Sequence, residues 1–348
     1  MNWLAWRQHR IQFLIFGILL VIYAAVVIPS GLHFWHAYQQ MVSSCAHNPA
    51  NPSCTDIYGN LFRTTTDKLL IGLIPTAVLF LPIILGVFWG APLLSKEYAE
   101  GTNSLVWTQS ISRRKWLTVK LAWMLLATAL LAGAFAALNT WWSKTPNALN
   151  MDRFSNGNQF GIQGIVPVAI SLFAVSYGIM LGAWFRKTMV AVGITLVLFV
   201  ACSHIVIPNL LRPNYLKPLS VTAPFGPDRS SSGTGVPSNA WITSQIIYNG
   251  SGREIVGDIF SAAPPQCQKV IQQAEVPNSG GRAFKAVPSP NGDDPIAECL
   301  DKAGWYQVTT YQPGYRYWDF QEIESAIYLG LAAIAVGATY WLVLKRDA

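Results

Sequence analysis

The sequence predicts an all-α polytopic membrane protein of six transmembrane helices, with a small α+β extracytoplasmic domain between spans five and six. Three observations carry this. First, 52% of the 348 residues are hydrophobic and only 12% are charged, about half the charged fraction of an average soluble domain. Second, the apolar residues fall in six blocks that reach or approach the length of about 20 residues needed to cross a bilayer. These are residues 11–28, 69–94, 121–142, 160–185, 188–207 and 325–344. Third, basic residues crowd onto one of the two sides that six crossings define. Helices satisfy every backbone group in lipid without closing a barrel, and the alternation of barrel strands is absent.

The elements follow in order. Residues 1–10 mix Trp3, Leu4 and Trp6 with Arg7 and Arg10, which suits a short helix lying in the membrane interface. The first block is longer than a usual signal-peptide core and no A-x-A site follows it, so it reads as an uncleaved span. An outer loop, 29–68, leads to the second span, which carries Pro75, Pro82 and Pro92. The loop 95–116 returns on the basic side, and a short polar loop, 143–159, separates spans three and four. Span four holds Gly178 and Gly182 as G-x-x-x-G, a pattern that lets helices approach closely within a subunit or between subunits. Pro208 ends span five.

The long outer segment 208–324 begins irregularly, with Pro, Gly and Ser dense over 223–237. Residues 241–248 read as a strand that stops at the turn signal Asn249-Gly250. A short helix is expected over 295–303 with Gly304 as its stop, then a strand over 305–312. The expected division is therefore 1–207, 208–324 and 325–348.

Orientation follows from charge. Arg7, Arg10, Lys96, Arg113, Arg114, Lys115, Lys120, Arg186, Lys187, Lys345 and Arg346 lie on the side of both termini, with only Glu97, Glu100 and Asp347 against them. That side carries +8 and the other −1, so both termini are expected in the cytoplasm of a cell-membrane protein. The net charge of +7 then reflects topology and lipid contact, and no basic groove interleaved with aromatics points to nucleic acid. Cys202 lies inside span five, whereas Cys45, Cys54, Cys267 and Cys299 fall outside. Four thiols allow three pairings. The local one is Cys45–Cys54 with Cys267–Cys299, and an oxidising exterior favours such bonds at roughly 2–4 kcal/mol each.

Catalytic signatures are missing: there is no P-loop, no H-E-x-x-H and no G-x-S-x-G. No ionisable residue falls near the middle of a block, and His204, near the outer end of span five, reads as interfacial. His33, His36 and His47 with Cys45 and Cys54 are residue types that hold metals, but an aromatic-histidine belt beside a disulfide explains them better. Asp293, Asp294 and Glu298 lack EF-hand spacing. No cofactor or metal is expected.

The loop 95–116 is the informative stretch. Glu97 and Glu100 stand three apart and share a helical face, and Gly101 stops that helix. Leu105, Val106 and Trp107 form an apolar run between charges, as a docking surface would. Arg113, Arg114 and Lys115 then seat the third span on anionic headgroups.

This loop, with E-x-x-E-G-T followed by W-T-Q-S-I-S-R-R-K-W-L, resembles the membrane subunits of type-2 ABC exporters, closest to permeases of actinobacteria and other Gram-positive lineages. The similarity extends over the six-span plan and the stretch 311–324 before the last span. It implies a homodimer or heterodimer of such subunits, working with a separate ATPase. The helix carrying Glu97, Glu100, Gly101 and Thr102 would sit on that ATPase, and the turn at Arg186 and Lys187 would be a second contact. The missing P-loop fits, since nucleotide would bind on another chain. The uncharged spans suit a hydrophobic or amphipathic cargo. A membrane-anchored sensor or envelope assembly factor is the competing expectation, weakened because only about fifty residues would lie inside. A membrane enzyme is weakened by the absent catalytic constellation.

Overall fold

Helix α1 (Asn2–His47) is a single helix of 46 residues, about 69 Å at 1.5 Å per residue against a hydrocarbon core of about 30 Å. The computed structural model describes residues 2–47, 54, 61, 64–101, 112–149, 153–154, 157–224, 235–237, 239–257, 259–274 and 295–346. Neither the separate interface helix over 1–10 nor a loop beginning at residue 29 is present, because the helix runs through both. Pro29 lacks an N–H, but the adjacent Ser30 hydroxyl donates to the carbonyls of Val26 and Val27 at 2.7 and 3.2 Å. The same hydroxyl accepts from Trp142 Nε1 at 3.1 Å, tying the outer half of α1 to the third span. Gly31 lies under Trp141, where a β-carbon would come within 2.6 Å of the ring.

The second span starts with a capping box. Asp67 N donates to Thr64 Oγ1, and Thr64 N donates to Asp67 Oδ2, both at 3.1 Å. It comprises α2 (Thr65–Leu85), a π-helical turn (Gly86–Gly90) and α3 (Ala91–Ala99). The third span is α4 (Arg113–Trp142), whose N-cap is Ser112. The fourth, α5 (Val166–Phe185), is the central one: 78% of its most apolar stretch is buried, against 11–33% in the others. The fifth is α6 (Thr188–Val200), continued by a π-helical segment (Ala201–Leu211) and one 3-10 turn (Arg212–Asn214). Pro208 has no N–H to give, and beside it Asn209 Nδ2 donates to the carbonyls of His204 and Ile205, each at 3.0 Å. Six helical stretches among the described residues are thus long and apolar enough to cross a membrane.

Two G-x-x-x-G pairs meet at the centre, Gly178 and Gly182 on α5 against Gly86 and Gly90 on the second span. A β-carbon at Gly178 would stand 2.6 Å from the Gly86 carbonyl oxygen, and one at Gly182 would stand 2.5 Å from that of Ala91. The α5 motif therefore serves packing inside one chain, with its partner motif on the second span.

Two compact units make up the chain: Met1–Tyr215 with Trp318–Ala348, and Leu216–Tyr317. The second holds a three-stranded antiparallel sheet of β1 (Leu219–Pro224), β2 (Trp241–Tyr248) and β3 (Tyr306–Gln312), with β3 in the middle. Its core gathers Ile271 on α7 (Pro265–Ala274), Ile296 and Leu300 on α8 (Pro295–Lys302), and Trp305. Gly304, at φ +75°, reverses the chain after α8 so that Trp305 N donates to the Leu300 carbonyl at 3.0 Å. Disulfide Cys267–Cys299 joins α7 to α8, and Cys45–Cys54 closes the end of α1. Cys202 is a free thiol. Most of the Pro- and Ser-rich start of this segment (225–234), together with Asp293 and Asp294, lies outside the described residues.

The sixth span starts earlier than residue 325. Helix α9 (Tyr317–Trp341) takes in eight residues before it, including Gln321 and Glu324.

Candidate coupling surface and buried ion pairs

At one end of the bundle, α3 and the turn between α5 and α6 come together. Helix α3 ends at Glu100, and Gly101 follows at φ +68°, a backbone conformation that glycine adopts without penalty. Arg186 caps α5 in the left-handed region, at φ 55°, with its N–H on the Gly182 carbonyl at 3.1 Å. Its guanidinium lies 5.0 Å from the centre of the Tyr98 ring. Behind them the Ser95 and Thr188 hydroxyls are hydrogen-bonded at 3.0 Å. Arg186, Lys187, Lys96 and Glu100 face outward.

Glu97 and Glu100 do different work despite their spacing. Glu97 turns inward and is hydrogen-bonded to Lys120 of α4, whose side chain is only 6% exposed. The Lys120 ammonium also sits 5.0 Å from the Trp116 ring centre. Glu100 stays exposed, 3.8 Å from Lys96, a contact worth about 0.3–0.5 kcal/mol. Arg114 and Lys115 are exposed at the start of α4, and Arg113 is half-buried. Thr102 and the apolar run Leu105, Val106 and Trp107 lie outside the described residues. Lys120, counted in the sequence only as a topogenic charge, proves to be the internal partner of the loop. Its signal was an isolated lysine five residues past the Arg113–Lys115 cluster, already against apolar chain.

The opposite end holds a second buried pair that the sequence reading missed. Arg212 Nε and Nη2 donate to the two carboxylate oxygens of Glu324, each at 2.7 Å, with the side chains 4% and 0% exposed. The guanidinium also faces the Phe160 ring at 4.4 Å. Tyr215 donates its hydroxyl to Glu324 Oε2 at 3.4 Å, and burial with the adjacent carboxylate pushes this phenol up from its usual range. One turn earlier, Gln321 Oε1 accepts from Ile165 N and Val166 N at 3.0 and 3.1 Å, and Gln321 Nε2 donates to the Phe160 carbonyl at 3.1 Å. A side chain of the last span thereby satisfies the first N–H groups of the central helix. Gln321, Glu324, Ser325 and Tyr328, at i, i+3, i+4 and i+7, form a buried polar stripe on α9.

Two spaces border these elements. An apolar crevice of about 500 Å³ runs between α1 and α2, walled by Phe16, Tyr23, Leu70, Ile74, Phe80 and Phe135. A smaller cavity of about 150 Å³ lies beside Arg212. His33 and His36 sit on exposed positions of α1, and no group of three or more metal-ligating residues occurs among the described residues.

Residues 17–212 match the family described as ABC-2 membrane transporter related. No curated protein and no solved structure matches the chain. The match covers more than half of the sequence and includes five of the six spans, the helix bearing Glu97 and Glu100, and the Arg186 turn. The chain therefore belongs to the ABC-2 membrane transporter related family and is a multi-pass membrane subunit of an ABC transporter, a type of protein that works with an ABC ATPase.

Proposed function

We propose that the chain is the permease subunit of an ATP-driven exporter and forms, with a second permease subunit, the path for a hydrophobic or amphipathic cargo. Both termini and the 95–116 loop are cytoplasmic in this reading, and the segment 208–324 is extracytoplasmic. The observation that carries it is the assembly of α3 and the Arg186 turn into one surface. Outward Glu100, Arg186 and Lys187 are backed by Ser95–Thr188 and by the Glu97–Lys120 pair. Such a surface moves as a unit, because the residues behind it are packed on α4 and α5. An ATPase pressing on Glu100 and Gly101 would then displace the second, third and fourth spans together. The apolar crevice between α1 and α2 supports an apolar cargo portion, since its walls are mostly hydrocarbon and aromatic, with Tyr23 and Thr76 as the only hydroxyl-bearing residues lining it.

The test is cargo-coupled ATP hydrolysis in proteoliposomes containing the chain and its ATPase. Glu100→Lys replaces an exposed carboxylate and leaves the Glu97–Lys120 pair untouched, so folding is unchanged. Charge-assisted hydrogen bonds are the stronger kind, and reversal is expected to cut coupled hydrolysis about tenfold or more. Wild-type hydrolysis by Glu100→Lys, with the variant correctly inserted, would remove Glu100 from the coupling contact.

A further inference from the structure

The crevice between α1 and α2 is concave and apolar. Its floor is buried: Tyr23 on α1, Ile74 and Leu81 on α2, and Phe135 on α4. Its rim is exposed: Leu19 and Ile22 on α1, Leu73 and Phe80 on α2. Both hydroxyls of the lining are turned to backbone, Tyr23 donating to the Ile74 carbonyl at 3.3 Å and Thr76 to the Gly72 carbonyl. The Tyr23 ring packs on Phe135, with ring centres 4.8 Å apart. The hydroxyl donors are thus spent inside the protein, and what faces the crevice is hydrocarbon and aromatic ring.

Size and place decide what fits. The crevice runs from Phe16 to Val26 on α1 and from Leu70 to Ile84 on α2, about 15–21 Å of helix. Half of a hydrocarbon core is about 15 Å, so the crevice is about one leaflet long. Its volume is about 500 Å³, whereas a neighbouring helix about 10 Å across would fill roughly 1,200 Å³ over the shorter length. A second copy could therefore reach it only with side chains. The rim continues the exposed apolar faces of the two spans, with Ile15 and Ile18 on α1 and Leu69 on α2 beside it. The crevice thus opens onto the same bilayer interior that covers those faces. Left unfilled, it would deprive its lining of dispersion contacts, and acyl chains are the material at its rim.

We propose that this crevice seats one acyl chain of a bilayer lipid, taken in sideways from the membrane. The proposal rests on the transporter reading and narrows its apolar cargo portion to a lipid tail, but occupancy is a property of the chain alone and is tested without the ATPase. The full-length chain is placed in phosphatidylcholine nanodiscs doped with a phosphatidylcholine whose palmitoyl chain carries a diazirine. After irradiation the adducts are mapped by peptide mass spectrometry. They are expected to concentrate on the rim and floor residues, about fivefold above Leu130, Val197 and Ile334, which are at least as exposed but lie outside the crevice. The excess is modest because lipid tails and apolar side chains are equally apolar, and packing alone favours the crevice.

Ala77→Trp fills the crevice from an exposed lining position and is expected to abolish the excess. Leu130→Trp puts the same side chain on an open face and is expected to leave it unchanged. Uniform labelling of the wild-type spans would overturn the site without recourse to any variant. An undiminished excess in Ala77→Trp would overturn its placement between α1 and α2. A copy-to-copy adduct from a photoreactive residue at position 77, with no lipid adduct there, would overturn it in favour of an interface between copies. None of these results bears on coupled hydrolysis by Glu100→Lys, and a failure of that test leaves the labelling pattern as it is, so the two failures are distinguishable.

Discussion

Among the described residues each end of the bundle holds a buried ion pair, and the two pairs are built for different demands. Arg212–Glu324 is bidentate, almost wholly enclosed, and shared with an aromatic ring and a phenol. Lys120–Glu97 is a lysine–carboxylate contact in which the Glu97 side chain is 17% exposed. An arginine fork holds two oxygens in a fixed plane, whereas a lysine ammonium lets its partner swing. The Arg212 end thus fixes the last span against the fifth. The Lys120 end tethers α3 from behind while its outer face stays available. Rigidity at one end and a hinged surface at the other suit a subunit that takes up a push on the Glu100 side.

The largest effect should come from halving the stronger pair. Arg212→Leu leaves Glu324 buried without its cation and is expected to cost about 3–5 kcal/mol, measured by thermal unfolding in detergent. Arg212→Leu with Glu324→Leu should recover most of it, since well-packed apolar pairs replace buried ion pairs at little cost. If the double variant is as unstable as the single one, the pair contributes shape that leucines do not reproduce. Glu97→Ala should cost less, about 2–3 kcal/mol, because the Lys120 ammonium retains Trp116 and lies near the bundle end. A larger loss than for Arg212→Leu, in the same assay, would reverse the ranking of the two ends.

How far these features could be read from residues alone depended on whether they were local. Block hydropathy placed the six spans because each is a continuous stretch, and the strands over 241–248 and 305–312 were legible from β-branched and aromatic runs bounded by turn signals. What failed needed a partner far along the chain. Pro29, Ser30 and Gly31 look like a loop, and they stay helical because Trp142 hydrogen-bonds the Ser30 hydroxyl and Trp141 and Trp142 pack over the glycine, tying this stretch to the third span. Asp319, Glu322 and Glu324 pulled the apparent start of the last span to residue 325. The i, i+3, i+4, i+7 spacing of Gln321, Glu324, Ser325 and Tyr328 was there to be seen, but polar stripes ordinarily face water. Arg212 and the α5 N-terminus, each more than a hundred residues away along the chain, make this one face inward. The coupling loop was half legible: Gly101 as a stop followed from its type, whereas the divergent roles of Glu97 and Glu100 followed from Lys120 on another helix.

A smaller effect addresses the crossing that lies between the two ends. Gly178→Val drives a side chain into the Gly86 carbonyl and is expected to cost about 1–3 kcal/mol, as overpacking does. It should also lower coupled hydrolysis more than Glu97→Ala does, because it separates α5 from the second span along its whole crossing. Wild-type thermal stability for Gly178→Val would show that the two glycine motifs are not in contact.

The central claim is that the Glu100 end of the bundle, and not the second unit, meets the ATPase. The most direct measurement is site-specific photo-crosslinking in cells that express both proteins, with a photoreactive residue placed at Glu100 or at the exposed Tyr315. The account predicts an adduct with the ATPase from position 100, lost when the ATPase is absent, and none from position 315. An ATPase adduct from position 315 with none from position 100 would contradict both the coupling surface and the orientation on which it depends.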